Sequence, residues 1–192
     1  MKRVGILALQ GGYDPHLRML KTLDSVQPSL VRTAEELRNI DALILPGGES
    51  TTIGKLLVLQ NLLEPLRSLL TGGLPVFGTC AGMILLAKEA VGRDQPLLGV
   101  LDISVERNAY GRQVESFETS LELLWNQDTG RESVPAVFIR APQVVRTGPG
   151  VEVLASYEEK PVLLRRGNYL VASFHPELTE SSRIHSLFLS MV

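Results

Sequence analysis

The stretch that decides the fold is Leu74-Pro75-Val76-Phe77-Gly78-Thr79-Cys80-Ala81-Gly82-Met83-Ile84-Leu85-Leu86-Ala87. It predicts a buried strand, a Gly-x-Cys-x-Gly turn and then a helix, which is the cysteine form of a nucleophile elbow. The flanking glycines let the two backbones approach closely, and the turn places the sulfur at a helix N-terminus, where the helix dipole favours a thiolate. We therefore predict that Cys80 is a nucleophile and that the N–H of Ala81 donates to an oxyanion.

Cys80 is the single cysteine in the 192 residues. It can form no internal disulfide, and a thiolate zinc site needs several cysteines, so we predict no metal and no cofactor. The alternative for Cys80 is a small buried hydrophobe beside a structural turn. Its position between two glycines at a strand–helix junction favours the nucleophile.

Around this elbow, short apolar runs alternate with amphipathic stretches over the first half of the chain. Strands are predicted at 4–9, 30–31, 42–45 and 75–78, and helices at 14–24, 34–39, 56–63, 65–70 and 81–90. The second half is predicted to hold strands at 98–105, 113–121, 135–139, 151–156, 161–165 and 169–174, an exposed loop at 122–133 and a closing helix at 180–191. We expect a single α/β domain over residues 1–192, in three layers: a largely parallel central sheet, helices on both faces, and additional antiparallel strands from the second half.

The composition excludes several classes of protein. The net charge is only -2 and no basic stripe stands out, so nucleic acid is not an expected partner. No apolar run approaches the roughly 18 residues of a membrane span. The run Val4–Leu9 is too short for a signal peptide core and is followed by Gly11-Gly12, which favours a buried first strand. We expect a cytoplasmic protein.

A second segment of chemical interest is Val171-Ala172-Ser173-Phe174-His175-Pro176-Glu177. A strand ends in a histidine, and a carboxylate follows two residues later. Pro176 is predicted to keep this link extended, so that the two side chains point the same way. Glu177 can then hold one nitrogen of the His175 imidazole while the other nitrogen of the ring faces a thiol. His175 and Glu177 are therefore predicted partners of Cys80. His16 and His185 lack such a setting and are predicted to be non-catalytic, with His185 on a solvent-facing or packing surface.

The third segment is Leu43-Ile44-Leu45-Pro46-Gly47-Gly48-Glu49-Ser50-Thr51-Thr52. A buried strand ends in a Gly-Gly turn whose N–H groups can converge on an anion, and Ser50 to Thr52 can cap the next helix. In elbow enzymes the second oxyanion donor comes from such a loop. A phosphate-binding loop is the alternative, but the spacing differs from Gly-x4-Gly-Lys-Ser/Thr and Glu49 would repel phosphate. Arg107 and Arg140 follow predicted strands, where one could clamp a carboxylate substrate; surface arginines are the alternative.

Together these pieces resemble the triad (class I) glutamine amidotransferases, and more narrowly the glutaminase subunit of pyridoxal 5'-phosphate synthase. The general features are the elbow and His-Pro-Glu, and the more specific ones are Glu106-Arg107-Asn108, Gly111-Arg112-Gln113 and Ile139-Arg140-Ala141-Pro142. One departure is Pro15 before His16, where the family usually has an acidic residue.

The resemblance implies a Cys80–His175–Glu177 triad that hydrolyses L-glutamine to glutamate and ammonia, with Gly48 and Ala81 as oxyanion donors. It implies that glutamine contacts Gly48, Glu49, Ser50, Arg107, Ile139 and Arg140, and that Gln10 lies near the site and the docking face. It also implies a partner in a hetero-oligomer, a synthase subunit with a (β/α)8 barrel that receives the ammonia.

Three alternatives remain at this stage. The chain could be the glutaminase subunit of another triad amidotransferase, with the same chemistry and a different acceptor. It could be a non-catalytic module of similar fold that retains an elbow cysteine and has no need of His175 and Glu177. It could also be a purely structural α/β domain.

Overall fold

A central sheet and two smaller sheets carry the segments described above. The structure is a computed structural model that describes residues 1–107, 116–124 and 132–192. The strands are β1 (Lys2–Leu7), β2 (Val26–Val31), β3 (Ala42–Leu45), β4 (Val76–Thr79), β5 (Ala87–Ala90), β6 (Leu101–Glu106), β7 (Ser116–Leu123), β8 (Glu132–Ile139), β9 (Gln143–Thr147), β10 (Glu152–Tyr157), β11 (Lys160–Arg166) and β12 (Tyr169–Ala172). The helices are α1 (Tyr13–Lys21), α2 (Ser50–Leu59), α3 (Leu63–Thr71), α4 (Ala81–Leu86) and α5 (Arg183–Leu189), with 3-10 turns at Glu36–Asn39 and Pro176–Leu178.

The central sheet has seven strands in the order β10-β11-β12-β4-β3-β1-β2. The five strands from β12 to β2 pair in parallel, while β10 and β11 add antiparallel pairs at one edge. Strands β5, β6 and β9 form a second sheet, and β7 and β8 form an antiparallel pair. The predicted α/β architecture is therefore confirmed.

Strand β3 shows why helices must cover both faces of the central sheet. Leu43 and Leu45 belong to one buried apolar cluster, with side chains from α2, α3 and α4. Ala42 and Ile44 belong to the other, with side chains from α1 and α5. Because successive side chains of a strand point to opposite faces, a continuous apolar run such as β3 requires a layer on each side. No helix in the described ranges is long and apolar enough to cross a membrane.

Several sequence-based boundaries were wrong. The helix predicted at 81–90 ends at Leu86, and Ala87–Ala90 continue as β5, which pairs in parallel with β6. Strand β9 was missed. The exposed loop predicted at 122–133 was wrong at both ends, because residues 122–123 and 132–133 belong to the β7–β8 pair. The rest of that prediction, residues 125–131, lies outside the described residues, as do 113–115 of the strand predicted at 113–121.

Gly82 offers a test of how closely the elbow helix packs on the sheet. A β-carbon at this position would lie 2.1 Å from the backbone oxygen of Leu45. Helix propensity alone predicts that Gly82→Ala stabilises the protein by about 1 kcal/mol. The backbone clash predicts the opposite sign, a loss of about 1–3 kcal/mol in the free energy of unfolding, measured by urea titration.

Gly92→Ala is the control, because Gly92 has open space around its Cα and a positive φ of 68°. The stability that Gly92→Ala loses measures the cost of placing a side chain on a left-handed backbone alone, about 1 kcal/mol. A Gly82→Ala protein as stable as the wild type would contradict the close approach described here.

Candidate active site

The candidate site lies where four neighbouring parallel strands end. Strands β12, β4, β3 and β1 are consecutive in the central sheet, so their carboxyl ends share one edge. The chain leaves β12 towards His175, β4 at Cys80, β3 towards Gly47 and β1 towards Gln10. Ligand sites of parallel α/β sheets form at this edge, as predicted for these residues.

Cys80 occupies a strained turn between β4 and α4. Its φ of 49° and ψ of -101° lie outside the regions that non-glycine residues commonly occupy. A β-carbon on Gly78 would lie 2.7 Å from the backbone carbon of Gly82, so both glycines allow strand and helix to approach closely. Ala81 is the first residue of α4, and its N–H therefore has no intrahelical acceptor. The predicted sharp turn from strand to helix at Cys80 is present.

His175 and Glu177 are joined by a hydrogen bond. His175 Nδ1 lies 2.7 Å from Glu177 Oε1, and the backbone N–H of His175 donates to Val137 O in β8 at 2.8 Å. The prediction that Pro176 keeps the link extended was wrong, because Pro176–Leu178 form a 3-10 turn. The turn still brings the two side chains together, since it folds the carboxylate back towards the ring.

The imidazole of His175 lies beside the cysteine. A β-carbon on Gly47 would lie 2.4 Å from His175 Cε1 and 3.5 Å from Cys80 Cβ, so both residues border the same glycine. Burial by itself would lower the pKa of His175, but hydrogen bonds to Cys80 and Glu177 and the charges of both partners raise that pKa to about 10. At neutral pH His175 is therefore an imidazolium.

The carboxylate of Glu177 is almost completely buried, with 2% of its side chain exposed. Burial would raise its pKa, but the neighbouring His16 and the hydrogen bond from His175 lower the pKa overall. Glu177 is thus held ionised, which is the form that accepts a hydrogen bond from His175 Nδ1.

The Gly-Gly loop after β3 is fixed to the segment after β1. Glu49 N donates to Gln10 Oε1 at 2.9 Å, and Gly12 N donates to Gly47 O at 2.9 Å. A β-carbon on Gly48 would lie 2.7 Å from Gln10 Oε1, so this position has no room for a side chain. Gln10 therefore sets the path of the loop that was predicted to supply an oxyanion donor.

Glu49, not Ser50 or a threonine, caps α2. Its carboxylate accepts from the N–H groups of Thr51 and Thr52 and pairs with Arg107, with Nη2 2.7 Å from Oε1. Burial opposes ionisation, but the bonds from Thr52, Arg107 and Thr51 lower the pKa of Glu49 to about 2. Arg107 also donates to Thr51 Oγ1 at 2.9 Å. The sequence-based prediction of the capping residue was wrong, because α2 begins at Ser50, so the residue before it, Glu49, is the cap, and Arg107 holds its carboxylate in place.

The predicted substrate residues surround one cavity of about 390 Å³. Arg140 lies on its wall, exposed and with a φ of 43°. The cavity is lined by Gln10, Gly12, Pro15, Gly47, Gly48, Glu49, Ser50, Ile84, Arg107, Ile139, Arg140, His175, Glu177 and Leu178. The structure thus brings together all the residues predicted to bind substrate. Cys80 is buried beside His175 and is not among the residues that line the cavity.

Comparison with known proteins agrees with this arrangement. The profile of the SNO glutamine amidotransferase family matches residues 6–192. The chain belongs to this family. Two curated relatives are named pyridoxal 5'-phosphate synthase subunit PdxT: that of Moorella thermoacetica is 53% identical over 99% of both chains. That of Pelotomaculum thermopropionicum is 58% identical over 97% of this chain and 93% of its own length.

A solved glutamine amidotransferase superposes on the chain with a TM-score of 0.91 at 52% identity, covering 98% of this chain and 97% of the other. The predicted family and fold are therefore confirmed. Of the more specific motifs, Arg107 and Ile139–Arg140 line the cavity of the chain described here, while Asn108 and Gly111-Arg112-Gln113 lie outside the described residues.

Sequence reasoning missed a buried cluster beside Glu177. His16 and His185 are both fully buried, which contradicts the solvent-facing alternative for His185. His16 Nε2 lies 3.4 Å from Glu177 Oε2. The signal was helical spacing, since His16 shares one face of α1 with the buried Met19 and Leu20, three and four residues later. Histidine on such a face more often only packs, which is why the pattern alone did not point to the site.

His175 should titrate at much higher pH than the two fully buried histidines, His16 and His185. We expect His175 to retain its proton through neutral pH and to lose it near the pKa of about 10. Burial and a neighbouring histidine lower the pKa of His185 to about 3, and burial also lowers that of His16. Because folding raises the pKa of His175, its contribution to stability is full below pH 6.5 and is lost as the pH rises towards 10.

NMR titration of the imidazole resonances checks this order, with Glu177→Gln as the assigning variant. Removing the carboxylate charge should lower the pKa of His175. A His175 resonance that titrates near pH 6.5 in the wild type would contradict the pairing with Glu177 and Cys80.

Proposed function

We propose that this chain is the glutaminase subunit of a pyridoxal 5'-phosphate synthase, with Cys80, His175 and Glu177 as its catalytic triad. The observation that carries the proposal is the buried Glu177–His175 hydrogen bond directed at the elbow cysteine. The near-full-length relatives at 53% and 58% identity support the synthase assignment, since both are named as subunits of that enzyme.

The reaction begins when the Cys80 thiolate attacks the side-chain amide carbon of L-glutamine. The N–H groups of Ala81 and Gly48 stabilise the oxyanion of the tetrahedral intermediate. His175, which is protonated at neutral pH, donates its proton to the departing nitrogen, and ammonia leaves with a thioester on Cys80. His175 then takes a proton from water, hydroxide attacks the thioester, and glutamate and the thiolate are released.

Substrate binding is assigned to the cavity walls. Gly48, Glu49, Ser50, Arg107, Ile139 and Arg140 would contact glutamine. Arg140 is an exposed cation on the wall and suits the α-carboxylate, while Glu49 is held ionised and suits the α-ammonium group. Gln10 would border the route of ammonia, because it lies at the cavity wall beside the Gly-Gly loop.

The partner in this proposal is a synthase subunit with a (β/α)8 barrel, bound in a hetero-oligomer over the mouth of the cavity. Ammonia must be kept from bulk water because protonation destroys its nucleophilicity, so the acceptor site has to be continuous with this one. A cytoplasmic location is part of the proposal, since a catalytic thiol must stay reduced.

Cys80→Ala should abolish glutamate release. Loss of the nucleophile in a catalytic triad costs on the order of 10⁶-fold in kcat. Glutamate is measured from glutamine by the chain alone and with the synthase subunit, and Ser68→Ala on the exposed face of α3 is the purification control. Undiminished turnover by Cys80→Ala with the partner present would refute the triad. Glutaminase activity without pyridoxal phosphate, given pentose phosphate and triose phosphate, would identify a different amidotransferase.

His175→Ala should reduce kcat more than Glu177→Ala does, by about 10- to 100-fold, because the acid and base is lost in one variant and only its orienting partner in the other. Steady-state kinetics of both variants in the complex check the ranking. The reverse ranking would contradict the roles given to the two residues.

A further inference from the structure

A cluster of buried polar side chains lies directly behind Glu177, and the proposed mechanism leaves it unused. The cluster consists of His16 on α1, Thr79 at the end of β4 and His185 on α5, and all three are 0% exposed. His16 Nδ1 lies 2.9 Å from His185 Nε2, and His16 Nε2 lies 3.1 Å from Thr79 Oγ1. Burying polar groups in an apolar layer is costly, so the cluster calls for an explanation.

The cluster meets the triad at one carboxylate oxygen. Glu177 Oε1 bonds to His175, while Glu177 Oε2 is buried and has no hydrogen-bond partner in the part of the chain that the structure describes. His16 Nε2 lies 3.4 Å from this second oxygen, a charge contact longer than an ordinary N–H···O hydrogen bond, while its hydrogen-bond partner is Thr79 Oγ1. His16 thus presents a ring nitrogen to the oxygen of Glu177 that His175 does not contact.

The geometry fixes which nitrogen of each ring carries the proton. His185 Nδ1 is buried and has no partner among the described residues, so a proton there would be an unsatisfied donor. His185 therefore carries its proton on Nε2 and donates to His16 Nδ1. With Nδ1 as acceptor, neutral His16 must carry its own proton on Nε2, pointing at Thr79 Oγ1 and Glu177 Oε2.

We propose that His16 is a positioning residue for the glutaminase reaction, holding Glu177 Oε2 through its Nε2–H so that Oε1 stays on His175, with its tautomer set by His185. The inference rests on the triad proposed above. Without the nearby His16 Nε2–H, the charge of the buried carboxylate at Oε2 would lose its neighbouring donor, and Glu177 would take up a proton more readily. A protonated Glu177 no longer holds the His175 imidazolium.

Other ionisable groups face Glu177 from each element packed around it. Helix α1 contributes His16 and Arg18, and the 3-10 turn and its exit contribute His175 and Glu180. Cys80 acts through His175, His185 acts through His16, and Arg140 shares the cavity wall. Of these groups, His16 is the one whose donor lies next to Oε2.

Two amide substitutions at His16 test the roles of its two ring nitrogens separately. In His16→Gln the side-chain amide reaches the position of Nε2 and can donate to Glu177; in His16→Asn it reaches only the position of Nδ1, towards His185. His16→Leu removes both. Each variant is assayed for glutamate release in the complex with the synthase subunit, as kcat and KM across the pH range, with thermal unfolding to compare the folds.

We expect His16→Asn and His16→Leu to lose about 10- to 100-fold in kcat with KM changed less than about twofold, the usual scale for an orienting partner. In these two variants, the fall of kcat/KM at acid pH should begin at higher pH than in the wild type. His16→Gln should keep the wild-type acid limb of the pH profile and most of kcat. A merely structural role would lower stability in all three variants and leave the limb in place.

Equal kcat and pH profiles for His16→Gln and His16→Asn would overturn the proposal, whether or not His16→Leu folds, because both amides are polar and similar in size. Cys80→Ala distinguishes this failure from that of the triad. If Cys80→Ala still releases glutamate, the proposed function and this inference both fail. If Cys80→Ala is inactive and the amide pair is indistinguishable, only the role of His16 fails.

Discussion

Strand β12 pairs in parallel with β4, and the register places Ala172 opposite Thr79. Cys80 follows Thr79 directly, and the segment that carries His175 follows Ala172, so two residues far apart in the sequence leave the same sheet edge on adjacent strands. A shift of one residue in this register would reverse which side chains of β12 face each layer, because side chains alternate across a sheet. Both faces of β12 are buried, with Val171 in one apolar cluster and Leu170 and Ala172 in the other, so the core itself fixes the register.

Close packing then determines what the elbow can be. Gly82 contacts the backbone of Leu45 in β3, and Gly78 contacts the backbone of Gly82, so no larger residue fits at either position. This approach forces Cys80 into a backbone conformation that costs of order 1–3 kcal/mol for a residue with a side chain. The surrounding core must supply that energy, and the all-buried α4 is one place where it does.

The parts of the site that could be predicted from the sequence are those with a local signature. Gly-x-Cys-x-Gly after an apolar run predicts the elbow, and apolar strands followed by polar residues predict the edge at which Glu49 and His175 lie. The capping of α2 by Glu49, and not by Ser50, could not be predicted, because the Glu49 carboxylate is paired with Arg107, which is distant in the sequence. Strand β5 was missed for a similar reason. Ala87–Ala90 have no local preference for a strand over a helix, and they form a strand because they pair with β6. The surroundings of His185 are the clearest case of a feature that the sequence could not predict. Its hydrogen-bond partner, His16, lies on α1 and meets it only when α5 packs against that helix.

Three histidines with the same intrinsic chemistry end in three electrostatic environments, and burial alone does not explain the differences. His175 and His185 are both largely removed from water, yet the pKa of one is raised to about 10 and that of the other lowered to about 3. The difference follows from the partners of each ring. His175 is hydrogen-bonded to Cys80 and lies 2.7 Å from Glu177 Oε1, whereas His185 has no carboxylate oxygen in contact in the described part of the chain. His16 lies 3.4 Å from Glu177 Oε2, and burial outweighs that contact. The proton therefore resides on the ring that faces the cysteine, and the two inner rings remain neutral. An orientation of Glu177 that favoured His16 would take the carboxylate away from the ring beside Cys80, so the orientation of a single buried side chain helps decide which ring holds the proton.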